Sequence, residues 1–220
     1  MLRKDYLVRM IEEMVDVIGQ VFGLKQQNKL IEALWKLDDL YKEQFRLNSR
    51  MIGSLSARDI VEIFRTGGKV EADKLQSLAR LLQEEGDIYI AQGRQDEGLF
   101  RLMKSLHLYL AADLHGADSS LWNLQTETAK LMSRLKDYRL PLDTERLLLD
   151  YEEAHERFDQ AENVLYRLLD AGAITKQQAL AFYERLLLYE PERLSKGGLP
   201  LHEVREGLAE VEKREYTQEV

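Results

Sequence analysis

Residues 78–112, LARLLQEEGDIYIAQGRQDEGLFRLMKSLHLYLAA, read as two amphipathic helices joined by a tight turn at Gly93. Leu78, Leu81, Leu82, Ile88 and Tyr89 recur at helical spacing and form one apolar stripe. Gly93 supplies the left-handed conformation that closes a helix C-terminus. Asp96 and Glu97 open the second helix, where carboxylates suit the positive end of the macrodipole. Its apolar face is Leu99, Leu102, Met103 and Leu106, followed by Tyr109 or Leu110. Gly86 sits inside the first helix at a cost of about 1 kcal/mol relative to alanine. A small residue there is useful where a neighbouring helix packs closely on the backbone.

Working outward, residues 3–22 form a long amphipathic helix with the stripe Tyr6, Leu7, Met10, Ile11, Met14, Val17, Ile18 and Val21. Gly23 is expected to separate it from a second helix, about 26–47, as an antiparallel hairpin. A membrane-surface role for the first helix would need a polar face rich in Lys and Arg. That face instead mixes Arg3, Lys4, Arg9, Glu12, Glu13 and Asp16, so packing on the second helix is the favoured reading. Residues 48–56 are a connection, and Ser56 with Asp59 caps a short helix, 57–65. Thr66-Gly67-Gly68-Lys69 lacks P-loop spacing and follows a helix, so it reads as a plain turn. Beyond the central hairpin, a helix spans 119–136 and stops before Pro141. Asp143 is the expected N-cap of the next helix, with Leu142 as the preceding staple residue. Thr175 and Gln178 form a capping box, and Leu199-Pro200 introduces a last helix, about 201–213. The tail 216–220 should fray. About ten helices and no strand result.

The central hairpin resembles a tetratricopeptide repeat. Gly86, Tyr89, Gly93, Asp96-Glu97 and Leu106 stand where that motif has its glycine, tyrosine, turn glycine, acidic helix start and late apolar residue. Gly98 and Ser105 replace its alanines, and Leu110 its final proline. Residues 143–170, DTERLLLDYEEAHERFDQAENVLYRLLD, resemble a degenerate second copy, with Ala161 at the alanine position and Leu149 in place of the glycine. QALAFYERLLLYEP, ending at Pro191, resembles the second helix of a third unit. Ala161 and Ala179 lie 18 residues apart, about half the usual period of ~34. The third unit is therefore incomplete, and helices 158–170 and 176–190 are expected to be antiparallel neighbours. The whole chain, from DYLVRMIE to GGLPLHEVREGLAEVE, also resembles an uncharacterised family of bacterial repeat-like proteins, mostly from Firmicutes, with no known activity.

The expected fold is all-α: antiparallel helical hairpins stacked as a tetratricopeptide-like right-handed superhelix. It is read as one domain over 1–220, with an N-terminal hairpin (1–50), a repeat-like array (56–190) and a C-terminal helix (200–214). Such an array tends to leave a concave face. By the resemblance, polar residues on the first helix of each unit line that face: Arg80, Gln83 and Asp87 in the central unit, and Asp143, Arg146, Asp150 and Glu153 in the second copy. The partner implied is a protein or peptide.

Composition limits the alternatives. A net charge of −8 argues against nucleic acid. The chain has no Cys, which removes disulfides and thiolate chemistry. The opening residues carry Asp and Glu inside the apolar pattern, unlike a signal peptide or a membrane span, so a cytoplasmic location is expected. The alternative is a metal-dependent or small-molecule enzyme in a helical bundle. His202-Glu203-x-x-Glu206 lacks the second histidine of a zinc-protease helix. Glu152-x-x-His155 has the spacing of a di-iron half-site but no second pair. No nucleophile elbow is present. No catalytic residue, metal ligand or cofactor is therefore assigned. Trp35 and Trp122 are expected in core or edge packing. A homodimer through the N-terminal helices is a further possibility.

Overall fold

The structure, a computed structural model, describes residues 2–214, and the side chains of 7–214. The side chains of Arg3, Lys4 and Tyr6, and the tail 216–220, lie outside the described residues. Contacts divide the chain into two compact units, Met1–Leu140 and Pro141–Val220. The boundary falls inside the stretch read as one array. The fold is all-α, built of stacked helices.

The first unit opens with α1 (Leu2–Gln26) and α2 (Leu30–Phe45), packed on each other and on the central helix α5. Gly23 does not end α1 as expected. The helix runs through it and closes at Asn28, whose φ is +58°, with Lys29 N–H donating to the Leu24 carbonyl at 2.9 Å. Asn tolerates the left-handed region because its side chain can bond locally. The connection expected over 48–56 contains a short helix, α3 (Ser49–Ser54), capped by Asn48, which accepts from Met51 N–H at 2.8 Å. Ser56 caps α4 (Ala57–Ile63) as expected, accepting from Asp59 N–H at 3.0 Å.

The stretch read as a plain turn is a miniature hairpin, so the expectation of no strand needs correction. β1 (Arg65–Thr66) pairs antiparallel with β2 (Lys69–Val70). Gly67 and Gly68 have φ of +58° and +80°. Two consecutive positive φ angles define the two-residue turn whose twist matches a hairpin, which is why two glycines stand there.

The hairpin over 78–112 forms as read, from α5 (Ala72–Ala91) and α6 (Gln95–Leu114), with Gly93 at φ +78° between them. A Cβ on Gly86 would lie 2.9 Å from Leu102 Cδ2, and one on Gly98 would lie 2.5 Å from Ile90 Cγ1. The two glycines thus let the helix backbones meet. The helix expected over 119–136 is broken. A 3-10 turn (Leu121–Asn123) precedes α7 (Leu124–Leu135), and Trp122 and Asn123 have φ of +58° and +51°. The turn brings the Trp122 indole N–H to Ser77 Oγ at 2.9 Å. Leu124, Thr128, Leu131 and Leu135 are the buried line of α7, which packs on α6.

The second unit holds α8 (Leu142–Ala154), α9 (Phe158–Asp170), α10 (Lys176–Leu186), α11 (Pro191–Lys196) and α12 (Leu201–Lys213). Pro141, not Asp143, is the N-cap of α8; Asp143 sits in the first turn and pairs with Arg146 at 3.1 Å. Thr175 and Gln178 form the expected capping box on α10. That helix stops at Leu186 rather than 190, and Pro191 starts α11, the position where its missing N–H costs nothing. Phe158, Ala161, Leu165, Phe182, Tyr183 and Val204 belong to one core.

Candidate functional site

The residues expected to line a concave face on α5 are engaged by the chain itself. Arg80 pairs with Glu84 at 2.7 Å. Gln83 is buried; its Nε2 donates to Glu127 on α7 at 2.7 Å, and its Oε1 accepts from the Tyr109 hydroxyl at 3.4 Å. Asp87 accepts from Arg134, also on α7, at 2.7 Å. In the second unit Asp143 and Arg146 pair on an exposed turn, and Arg146 also donates to the Ala173 carbonyl at 2.6 Å. Glu153 takes both ends of the Arg185 guanidinium at 2.8 and 2.7 Å. Desolvation around the Asp150 carboxyl and the charge of Glu153 hold Asp150 above the usual carboxylate range, against the pull of Arg185. The structure therefore gathers Asp150, Glu153 and Arg185 on one side of the second unit.

Beneath the turn end of the α5–α6 hairpin lies a buried polar cluster that the sequence reading missed. Glu85 accepts from Arg101 Nε and from the Tyr41 hydroxyl, both at 3.1 Å, from the Tyr89 hydroxyl at 3.3 Å, and from Ser49. Arg101 also donates to the Ser49 carbonyl at 3.1 Å and lies flat against Gly53, where a Cβ would approach its guanidinium to 2.7 Å. Burial, then the Glu85 charge, push the Tyr41 hydroxyl well up. One turn on, Lys104 donates to the carbonyls of Ile52, Gly53 and Leu55 at 2.7, 3.1 and 2.6 Å. Burial and the Arg101 guanidinium pull that ammonium down to about 8. It fastens the end of α3 by satisfying carbonyls the short helix leaves open. No periodicity flags Glu85 or Arg101, because each occupies a position that a solvated charge could equally fill.

Above this cluster an open cleft of about 310 Å³ is lined by Gly53, Tyr89, Asp96, Glu97, Phe100 and Arg101. The rings already face cations of the chain. Arg94 lies 4.3 Å from the Tyr89 centroid, and Lys104 4.6 Å from that of Phe100. Glu97 pairs with Arg94.

The residues weighed for metal chemistry have other work. Glu152 is buried against Arg157, the His155 ring lies tilted against Tyr151 with centroids 4.3 Å apart, and His202 is exposed. Among the described residues no group of three or more His, Asp or Glu side chains could hold a metal ion. Among them, too, no helix is long and apolar enough to cross a membrane.

A family model described as a family of unknown function, DUF6483, matches residues 1–216. The chain belongs to that family. No curated protein and no solved structure matches it. Membership extends over both units, so both belong to what the family has in common.

Proposed function

We propose that the protein is a non-catalytic interaction scaffold of tetratricopeptide-like build, acting in the cytoplasm on a protein segment that carries a basic side chain. The observation that supports this reading is the cleft above the Glu85–Arg101 cluster. Tyr89 and Phe100 line it beside the carboxylates of Asp96 and Glu97, the floor is held in place by a buried ion pair, and a basic side chain of the partner would displace the half-exposed Arg94 from Tyr89 and Glu97. A cation is attracted to the face of an aromatic ring, and nearby carboxylates add to that attraction. On the second unit, taken by itself, Asp143, Arg146, Asp150 and Glu153 form the polar side of α8. A chain of net charge −8 suits a basic segment rather than nucleic acid.

Fluorescence anisotropy with labelled lysine-rich and glutamate-rich peptides tests this. The basic peptide should bind, more weakly as salt rises, and Asp96→Asn and Phe100→Ala should each weaken it several-fold. Equal binding of both peptides, or variants indistinguishable from the parent chain, would reject the cleft as the site.

A further inference from the structure

Helix α1 carries two apolar lines at heptad spacing, and only one of them is covered. Met10, Met14 and Val21 are buried against the rest of the first unit. Val8, Ile11, Val15, Ile18 and Phe22 recur at intervals of three and four residues, the a/d spacing of a helix seam. Val8, Val15 and Phe22 are 48 %, 52 % and 57 % exposed, and Ile11 and Ile18 are partly so. On α2, Ile31 and Trp35 are 61 % and 66 % exposed. The exposed line lies about 100° beyond the buried one on α1 and about 140° beyond it on α2, both in the direction of the chain, as the 3.6-residue repeat places them. An antiparallel pair has an approximate two-fold axis perpendicular to its plane, so rotations of the same sense bring both lines to the same side of the hairpin.

We propose that a second copy of this chain covers that side, with the two α1 seams packed antiparallel. The seam complements itself: setting Val15 opposite Ile18 of the second copy places Ile11 opposite Phe22, and the two-fold repeats both layers. The charged residue flanking the seam on its outer side, Glu12, then faces the neighbourhood of Gly19 and Gln26 of the second copy, so no like charges meet. The seven side chains expose on the order of 600 Å² per copy, so two copies bury about 1,200 Å², the lower bound of a specific interface. The dimer is therefore concentration-dependent. This surface is separate from the cleft by Phe100, so either reading can fail without the other.

The test is the mass of the full chain by light scattering from low to high micromolar concentration. The parent chain should approach twice 25.6 kDa. Val15→Glu and Phe22→Glu should hold it at the single mass while helicity by circular dichroism and the urea midpoint stay unchanged, because both positions are exposed in the monomer. Orientation is read with single cysteines, which are unambiguous because the chain has none. Under oxidation Val15→Cys should cross-link to its own copy, whereas Phe22→Cys should not, its two copies lying about 16 Å apart along an antiparallel axis. Phe22→Cys with Ile11→Cys should cross-link. A parent chain that stays at the single mass throughout, or Val15→Glu and Phe22→Glu variants that remain dimeric, would overturn the proposal. So would efficient self-cross-linking of Phe22→Cys.

Discussion

Glu85 and Arg101 show how a single buried charge pair can decide the local structure. Each is almost entirely removed from solvent, and between them they gather hydroxyls from Tyr41, Ser49 and Tyr89. Removing one partner leaves the other charge buried and uncompensated, at a cost of about 3–5 kcal/mol. Glu85→Ala and Arg101→Ala should each cost that much in urea denaturation, and the double variant far less than their sum. Additive losses would show that the two charges are stabilised separately. Gly98 poses a contest between two effects. Alanine favours a helix by about 1 kcal/mol over glycine, but its Cβ would meet Ile90 Cγ1 at 2.5 Å and the Gly86 carbonyl at 2.8 Å. Overpacking costs about 1–3 kcal/mol, so Gly98→Ala should lower the urea midpoint; a rise would mean that the hairpin can open without loss. Glu84 gives the acid side of the pH profile. Burial works against its charge, but Arg80 and Lys25 outweigh burial and hold the carboxyl below its ordinary range. The unfolded chain then takes up a proton before the folded one as pH falls. The stability Glu84 confers is complete above about pH 4.3 and is lost as pH drops through the lower folded value. Glu84→Gln should flatten that acid limb of the urea midpoint, and an unchanged limb would assign it to other carboxylates.

Elements were legible where one face alone sets the pattern. The α5–α6 hairpin, the capping box on α10 and the span of α12 follow from apolar spacing and cap residues, and the structure places them where those signals stand. Several of the misses share a cause: a positive φ taken by a residue other than glycine, or glycine used for something other than ending a helix. Asn28 closes α1 and Gly23 does not; Trp122 and Asn123 break the helix read over 119–136. The candidate site was less legible than the fold. The polar positions on α5 carry the right residue types, but only the packed structure shows that Gln83 and Asp87 also bond to Glu127 and Arg134 of α7. The β1–β2 turn isolates the backbone effect. A Cβ on Gly68 meets nothing within 4 Å, yet φ is +80°. Gly68→Ala should therefore cost about 1–2 kcal/mol of stability through the left-handed conformation alone. Gly68→Asn should cost distinctly less, because Asn tolerates that region. Equal costs would point to lost contacts instead of backbone strain.

At the scale of the whole chain, each unit has its own buried core. The first is organised about α5, and the second about Phe158, Phe182 and Tyr183. The connection between α7 and α8 covers Lys136–Pro141, where Lys136 and Arg139 are exposed and the backbone is outside both helices. Proteases need an extended, accessible backbone, and such segments are preferred sites of nicking. Basic residues within α5, α6 and α9 are protected by helical hydrogen bonds, which must open locally before cleavage. Brief trypsin treatment of the full chain should therefore cut at Lys136 or Arg139 before it cuts within either core. Mass spectrometry would find a fragment ending at Arg139 and one beginning at Leu140, each persisting after the intact chain has gone. First cuts inside α5–α6 or α8–α9 would place the weakest point of the protein within a unit, and the division at Leu140–Pro141 would lose its energetic meaning.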